Sequence, residues 1–233
     1  MKLLKTNSEN TKIKKSENGS EYRIASLSMM PDNKICPSSK AAGCFDSCLK
    51  SAGMGIFKNV AAGRQARSDY WHDDQPAFLA QLMREISNFR KLCHKQGKKP
   101  AIRLNTISDI AWEKYGIPQA FPDVKFYDYT KRANRLGKTP PNYQLIFSYS
   151  GRSQYQNQVA MALKTGCPIA VVFNGDMPAE YMGRRVIDGD KSDLVNVDSG
   201  KVIIGLKAKG KAKNDNSGFV INADIIPAVM VAA

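Results

Sequence analysis

Ala101-Ile102-Arg103-Leu104-Asn105-Thr106-Ile107-Ser108-Asp109 is a short apolar run that stops abruptly in polar residues, and the same pattern recurs three times further along the chain. Lys125–Tyr127 leads into Asp128-Tyr129-Thr130-Lys131-Arg132, Gln144–Phe147 into Ser148-Tyr149-Ser150-Gly151-Arg152, and Ile169–Phe173 into Asn174-Gly175-Asp176. Runs this short suit strands, and the segments between them (Ile110–Tyr115, Lys131–Leu136, Gln154–Lys164) are able to be helical. Strand, helix, strand in succession means parallel pairing through right-handed crossovers. The expected fold class is therefore α/β: a partial (β/α) barrel with a parallel sheet, a basic N-terminal arm and a β-rich C-terminal cap.

In parallel sheets, chemistry collects at the C-terminal ends of the strands. That rule nominates Asn105, Ser108, Asp109, Asp128, Tyr129, Lys131, Arg132, Ser148, Ser150 and Asn174 as one polar rim. Within it, Asp109, Asp128 and Lys131 stand as the candidate catalytic residues.

Upstream of the repeats, Gln75–Gln96 reads as the clearest helix. Pro76 suits its first turn, Phe78, Leu82, Met83, Ile86, Phe89 and Cys93 recur at helical spacing, and Gly97 fits just past its end. Ile56–Trp71 is a second helix, and Tyr22–Met30 alternates weakly, as an edge strand does. Residues 1–20 hold many Lys, Asn, Ser and Glu and few apolar side chains, so they are expected to be a flexible basic arm. A single α/β domain is expected to occupy 21–233, with a cysteine loop at 35–55, a barrel-like core at 56–185 and the cap at 186–233. Within that cap Val186–Asp190, Leu194–Asp198, Val202–Lys207 and Phe219–Ile221 read as strands or long loops. Lys207, Lys209, Lys211 and Lys213 suggest a flexible basic segment, and Ile225–Ala233 a docked last strand.

The cysteine loop gathers Cys36, Cys44 and Cys48 into thirteen positions, bent by Pro37 and Gly43. Cys44 and Cys48 at i and i+4 would share one side of a helical turn. Convergent thiolates point to metal, and three of them would leave one position open on an iron–sulfur cube. A structural zinc with a distant fourth ligand and plain small apolar packing are the other readings. Cys93 and Cys167 read as core residues, and an odd total of five disfavours a disulfide framework.

With 233 residues and 42% hydrophobic content the chain can bury a core, and a formal charge of +14 points to a polyanionic partner, nucleic acid or a phosphorylated substrate. No apolar run is long enough for a bilayer and residues 1–10 are too polar for a signal segment, so no membrane partner and a cytoplasmic location are expected. Only His72 and His94 are present, which excludes metalloprotease, Cys2His2 finger, Ser-His-Asp and zinc-deaminase patterns. No Walker loop or strand-linked Gly-x-Gly-x-x-Gly appears.

Ser28–Cys48, Arg103–Glu113 (RLNTISDIAWE), Phe126–Arg132 (FYDYTKR), Leu145–Ser150 (LIFSYS), Ala170–Phe173, Val186–Asp190 (VIDGD) and Gly205–Gly210 (GLKAKG) together resemble an uncharacterised bacteriophage protein family. More distantly, the cysteine loop followed by these strand ends is similar to phage-associated radical S-adenosylmethionine proteins, although Cys-x7-Cys-x3-Cys differs from their usual Cys-x3-Cys-x2-Cys. That second resemblance implies a 4Fe-4S cluster on Cys36, Cys44 and Cys48 with S-adenosylmethionine at the open iron. It implies cofactor and substrate contacts from Asn105, Ser108, Arg132, Ser148, Ser150 and Asn157, and action on a nucleotide or nucleic acid. The competing expectation is a non-catalytic nucleic-acid-binding phage protein in which the same three cysteines hold a structural metal such as zinc.

Overall fold

Each of the four repeated apolar runs is a strand. The computed structural model describes residues 1–6, 11–194 and 198–225, and these fall into two compact units. The first comprises Met1–Pro37, Met54–Asp128 and Thr139–Gln144, the second Ser38–Gly53, Tyr129–Lys138 and Leu145–Ala233.

In the first unit, chain order is β1 (Leu4–Lys5), α1 (Thr11–Glu17), β2 (Tyr22–Leu27), α2 (Lys58–Asp73), α3 (Gln75–Lys95), β3 (Lys99–Arg103), α4 (Ile117–Ala120) and β4 (Lys125–Thr130, whose last two residues count with the second unit). β2, β3 and β4 pair in parallel, with Ile24 opposite Ala101 and Ala101 opposite Lys125. α3 forms where its periodicity predicts. Asp74 caps it by accepting from Ala77 N–H at 2.9 Å, and Phe78, Leu82, Ile86, Phe89 and Cys93 are its buried face. At its far end Gly97 adopts φ +63°, which lets Lys98 N–H reach back to Cys93 C=O at 2.9 Å. Trp71 seats its ring against Phe78, Trp112 and Tyr115 at centroid distances of 5.2, 5.4 and 5.3 Å. Phe78 and Trp112 are fully buried, and full burial of a Phe side chain stabilises by roughly 1.5–3 kcal/mol.

Where the sequence suggests a flexible arm over residues 1–20, the described ones, 1–6 and 11–20, hold β1 and α1. β1 pairs antiparallel with β2, Leu4 opposite Leu27, and Leu3, Leu4 and Ile13 are fully buried. Glu85 on α3 accepts from Leu3 N–H (3.1 and 3.0 Å) and Leu4 N–H (2.7 Å), and the buried Arg67 of α2 donates to Lys2 C=O at 3.1 Å. Three isolated apolar residues and two long-range polar anchors outweigh a lysine-rich composition.

The second unit holds β5 (Tyr143–Ser148, whose first two residues count with the first unit), α5 (Gln156–Lys164), β6 (Ile169–Asn174), β7 (Glu180–Tyr181), β8 (Arg184–Asp188), β9 (Ile203–Lys207) and β10 (Ile221–Asn222). β6 is its hub, pairing in parallel with β5, β9 and β10, while β8 continues beyond β9 in parallel and β7 closes antiparallel on β8. The expected C-terminal cap, 186–233, contains strands of the same sheet as β6. β9 and β8 add directly to β6, because Ile203 and Ile204 are fully buried beside Ile169 and Ala170. The basic run is also ordered: Gly210–Asn214 is a 3-10 turn, and Ala208 and Ala212 pack with Phe219 and Val220. Residues 195–197 and 226–233 of the expected C-terminal strands lie outside the described residues.

The α/β class with a mostly parallel sheet thus holds. β3 lies beside β4 and β5 beside β6, both parallel. Among the described residues no helix is long and apolar enough to cross a membrane.

Candidate functional site

Most of the strand-end residues are occupied by the protein itself. In the first unit Asn105, 2% exposed, is a hub. Its Oδ1 accepts from Ser108 Oγ (2.8 Å), Ile110 N–H (3.0 Å) and Trp112 Nε1 (3.1 Å), and its Nδ2 donates to Ile110 C=O (2.9 Å) and Asp128 Oδ2 (3.2 Å). Asp128, fully buried, also accepts from Asn105 N–H at 2.6 Å and from Tyr143 Oη at 2.8 Å. Asp109 is buried too, its N–H bound to Ile35 C=O at 3.0 Å. Asn105, Ser108 and Asp128 are brought together, as a network that closes the end of the parallel strands. Both ends of the Asn105 amide are thus engaged within the protein.

In the second unit Lys131 is buried. Its Nζ donates to the carbonyls of Ser148 (3.1 Å) and Tyr149 (2.8 Å) and sits 4.3 Å from the Phe219 ring centroid, so it ties β5 to the 219 segment. Ser150 is fully buried and donates to Ala42 C=O at 2.8 Å, while Arg132 is half-buried with its N–H on Thr130 Oγ1. Tyr129 donates to Asp193 at 3.0 Å. Asn157 is exposed on α5 and Asn174 donates to Lys213 C=O at 3.3 Å. The candidate catalytic set is not gathered within one unit, since Asp109 and Asp128 belong to the first and Lys131 to the second.

The cysteines divide likewise. Cys36 belongs to the first unit, with its N–H on Asp32 C=O at 2.8 Å, and Cys44 and Cys48 belong to the second. The shared helical turn is absent: residues 43–47 form turns, and Cys48 is extended at φ −63°, ψ 145°. Cys44 donates weakly to Ser39 C=O at 3.6 Å and packs against the Ala208, Ala212, Phe219, Val220 cluster. Among the described residues no group of three or more His, Cys, Asp or Glu is placed to hold a metal ion.

What the second unit does contain is a cleft of about 610 Å³. One wall is the cysteine loop, through Lys40, Gly43, Phe45, Asp46 and Ser47; Arg152 enters from the end of β5; the third side is Lys211 with Asn214–Ser217. Gly43 makes this closure possible. It sits at φ +74°, and a Cβ there would meet Arg152 Cδ and Ser217 Oγ, each at 2.7 Å.

Two struts fix the walls. Arg152 Nη1 donates to Lys40 C=O at 3.2 Å, and the Gln154 side-chain oxygen accepts from its Nε (3.1 Å) and Nη2 (2.6 Å). Asp215 accepts from Ser47 Oγ (2.6 Å), Ser217 Oγ (2.9 and 3.1 Å) and Val220 N–H (3.1 Å). Burial alone would raise the Asp215 pKa, but these donors outweigh it and hold the carboxyl below its ordinary value. Over Phe45 stand two ammonium groups, Lys50 Nζ at 3.8 Å and Lys40 Nζ at 6.0 Å from the ring centroid.

The sequence reading missed this site. Arg152 ended one of the strand-to-polar runs and was the available signal; Phe45 was hidden among the cysteines, and Lys211 within a segment read as mobile.

A family model described as Gene product 88 matches residues 1–223. The chain belongs to the Gene product 88 family. Membership agrees with the phage-type resemblance of the sequence and extends from the docked N-terminal strand through the 211–217 wall of the cleft. No curated protein and no solved structure matches the chain.

Proposed function

We propose that this member of the Gene product 88 family is a nucleic-acid-binding protein that grips a phosphate backbone in the cleft of its second unit. The observation that carries the reading is that Lys40, Arg152 and Lys211, from three separate segments, line one cleft, and none has an ion-pair partner among the described residues. Cations left unpaired on a surface with +14 overall charge favour a polyanion. Asp215 keeps its negative charge, stabilised by Ser47, Ser217 and Val220 N–H, and with Asp46 it sets two carboxylates against the three cations that line the cleft. Arg152 presents a guanidinium already oriented by Gln154 and Lys40 C=O, which lowers the ordering cost of a phosphate contact. The reading requires only a parallel α/β scaffold, for which a partial (β/α) barrel would serve, and it needs no metal.

The test is a salt series. Fluorescence anisotropy with a fluorescein-labelled oligonucleotide should give log K falling linearly with log salt, and the Lys40→Ala/Arg152→Ala/Lys211→Ala variant should lower that slope by about 2 to 3, at about 0.7–0.9 per phosphate contact. Absence of binding at low salt, or an unchanged slope in the triple variant, would refute it.

A further inference from the structure

We propose, building on the nucleic-acid reading above, that the cleft selects single strands by stacking an unpaired base on Phe45. Phe45 is a half-buried aromatic residue lining a cleft whose other walls carry cations and amides. A phosphate site alone has no need of a ring. The exposed Asn214 and Asn216 offer amide donors and acceptors, and the exposed Asp46 an acceptor, toward the same space that Lys40, Arg152 and Lys211 surround. Phosphate-seeking cations, a flat apolar face and hydrogen-bonding edges together match the three parts of a nucleotide.

Size agrees. About 610 Å³ lies inside the range of roughly 300–1,000 Å³ typical of small-ligand sites, room for one nucleotide unit and not for a helix. In a duplex both faces of every base are covered by neighbours, so a ring inside a cleft reaches a base only if it is unpaired or flipped out. The ammonium groups of Lys50 and Lys40 over Phe45 fit the same use. They stand over the ring, so a base stacking on that face displaces the Lys50 ammonium, which is then free to meet the nucleotide's phosphate. The wall itself is braced, with Ser47 and Ser217 both on Asp215 and Arg152 on Lys40 C=O.

The experiment compares fluorescein-labelled oligothymidylate with a duplex of equal length, by anisotropy, for wild type and for Phe45→Ala, Phe45→Leu and Phe45→Trp. Phe45→Leu keeps an apolar filler in the wall and removes only the flat face, so it guards against a folding defect. Wild type should prefer the single strand. Phe45→Ala and Phe45→Leu should lose between about 5-fold and 100-fold in single-strand affinity, the usual worth of one stacked base, with duplex binding unchanged and Phe45→Trp close to wild type. If wild type binds both probes in a salt-dependent way and Phe45→Leu changes neither or both alike, stacking is wrong and the phosphate reading survives. If wild type binds neither probe at low salt, the nucleic-acid reading itself falls.

Discussion

Asn105→Ala separates an architectural residue from a ligand-binding one. The change removes five side-chain hydrogen bonds, and the partners left behind are buried: Ser108 is 6% exposed, and Trp112 and Asp128 are fully buried. Ser108 can turn its hydroxyl, and Asp128 keeps Asn105 N–H and Tyr143 Oη. Ile110 N–H and Trp112 Nε1 lose their acceptor outright. At about 1–3 kcal/mol for each buried donor left unmade, the loss should be about 2–6 kcal/mol, a large share of the 5–15 kcal/mol typical of a domain. Tyr143→Phe provides the scale, since it takes one donor from a carboxyl that retains two others; about 1–3 kcal/mol is expected. The double variant should fall short of the sum, because both residues act on Asp128. Urea denaturation followed by tryptophan fluorescence reads all three, as a lower midpoint at constant slope. An Asn105→Ala protein that loses less than about 1 kcal/mol would show that water reaches these groups, and would return the strand ends to candidacy as a ligand rim.

Two further outcomes follow from single groups. Asp215 has a folded pKa below its ordinary value, so its contribution is complete above the unfolded pKa of about 3.9 and is lost as pH falls through the lower folded value; the Tm gap between wild type and Asp215→Ala should be flat near neutrality and shrink below about pH 4, and a gap that widens in acid would refute the assignment. Burial pushes the Cys93 thiol up to about 11, so iodoacetamide at about pH 8 should leave Cys93 unmodified in the native protein and label it after urea, by peptide mass spectrometry; rapid native labelling would contradict its place on the buried face of α3.

The fold was legible where local pattern and tertiary environment agree. α3 carries its apolar stripe, its Pro76 and its Gly97 within one window, and β3 to β6 each bury a continuous run as parallel strands must. It was illegible where distant residues decide. Nothing near Leu3 and Leu4 foretells that Glu85, more than eighty positions away, will take their amides. Likewise, β9 follows β8 in the chain yet lies between β8 and β6, an insertion that local composition does not encode. The strand-end rule is limited for a different reason. It locates the polar residues correctly, but whether Asn105 faces a ligand or Trp112 and Asp128 depends on how the following turn folds back.

The cysteine loop shows what a motif reading leaves out. Three thiols in thirteen positions invite a question about sulfur, but in the second unit the loop is organised by what lies between the sulfurs. Ala42 is fully buried and its carbonyl takes the Ser150 hydroxyl; Cys44 packs on Ala208, Ala212, Phe219 and Val220. Between and after them, Gly43 and Phe45 line the cleft, with Asp46 and Ser47 following. Ala42 is buried and Cys44 packs on that cluster, while Gly43 and Phe45 line the cleft: one admits Arg152 by having no side chain, and the other presents a ring. Cys44 acts in this arrangement as a small apolar anchor. The same packing that places its sulfur among alanines and Phe219 places the Phe45 ring under the ammonium groups of Lys40 and Lys50.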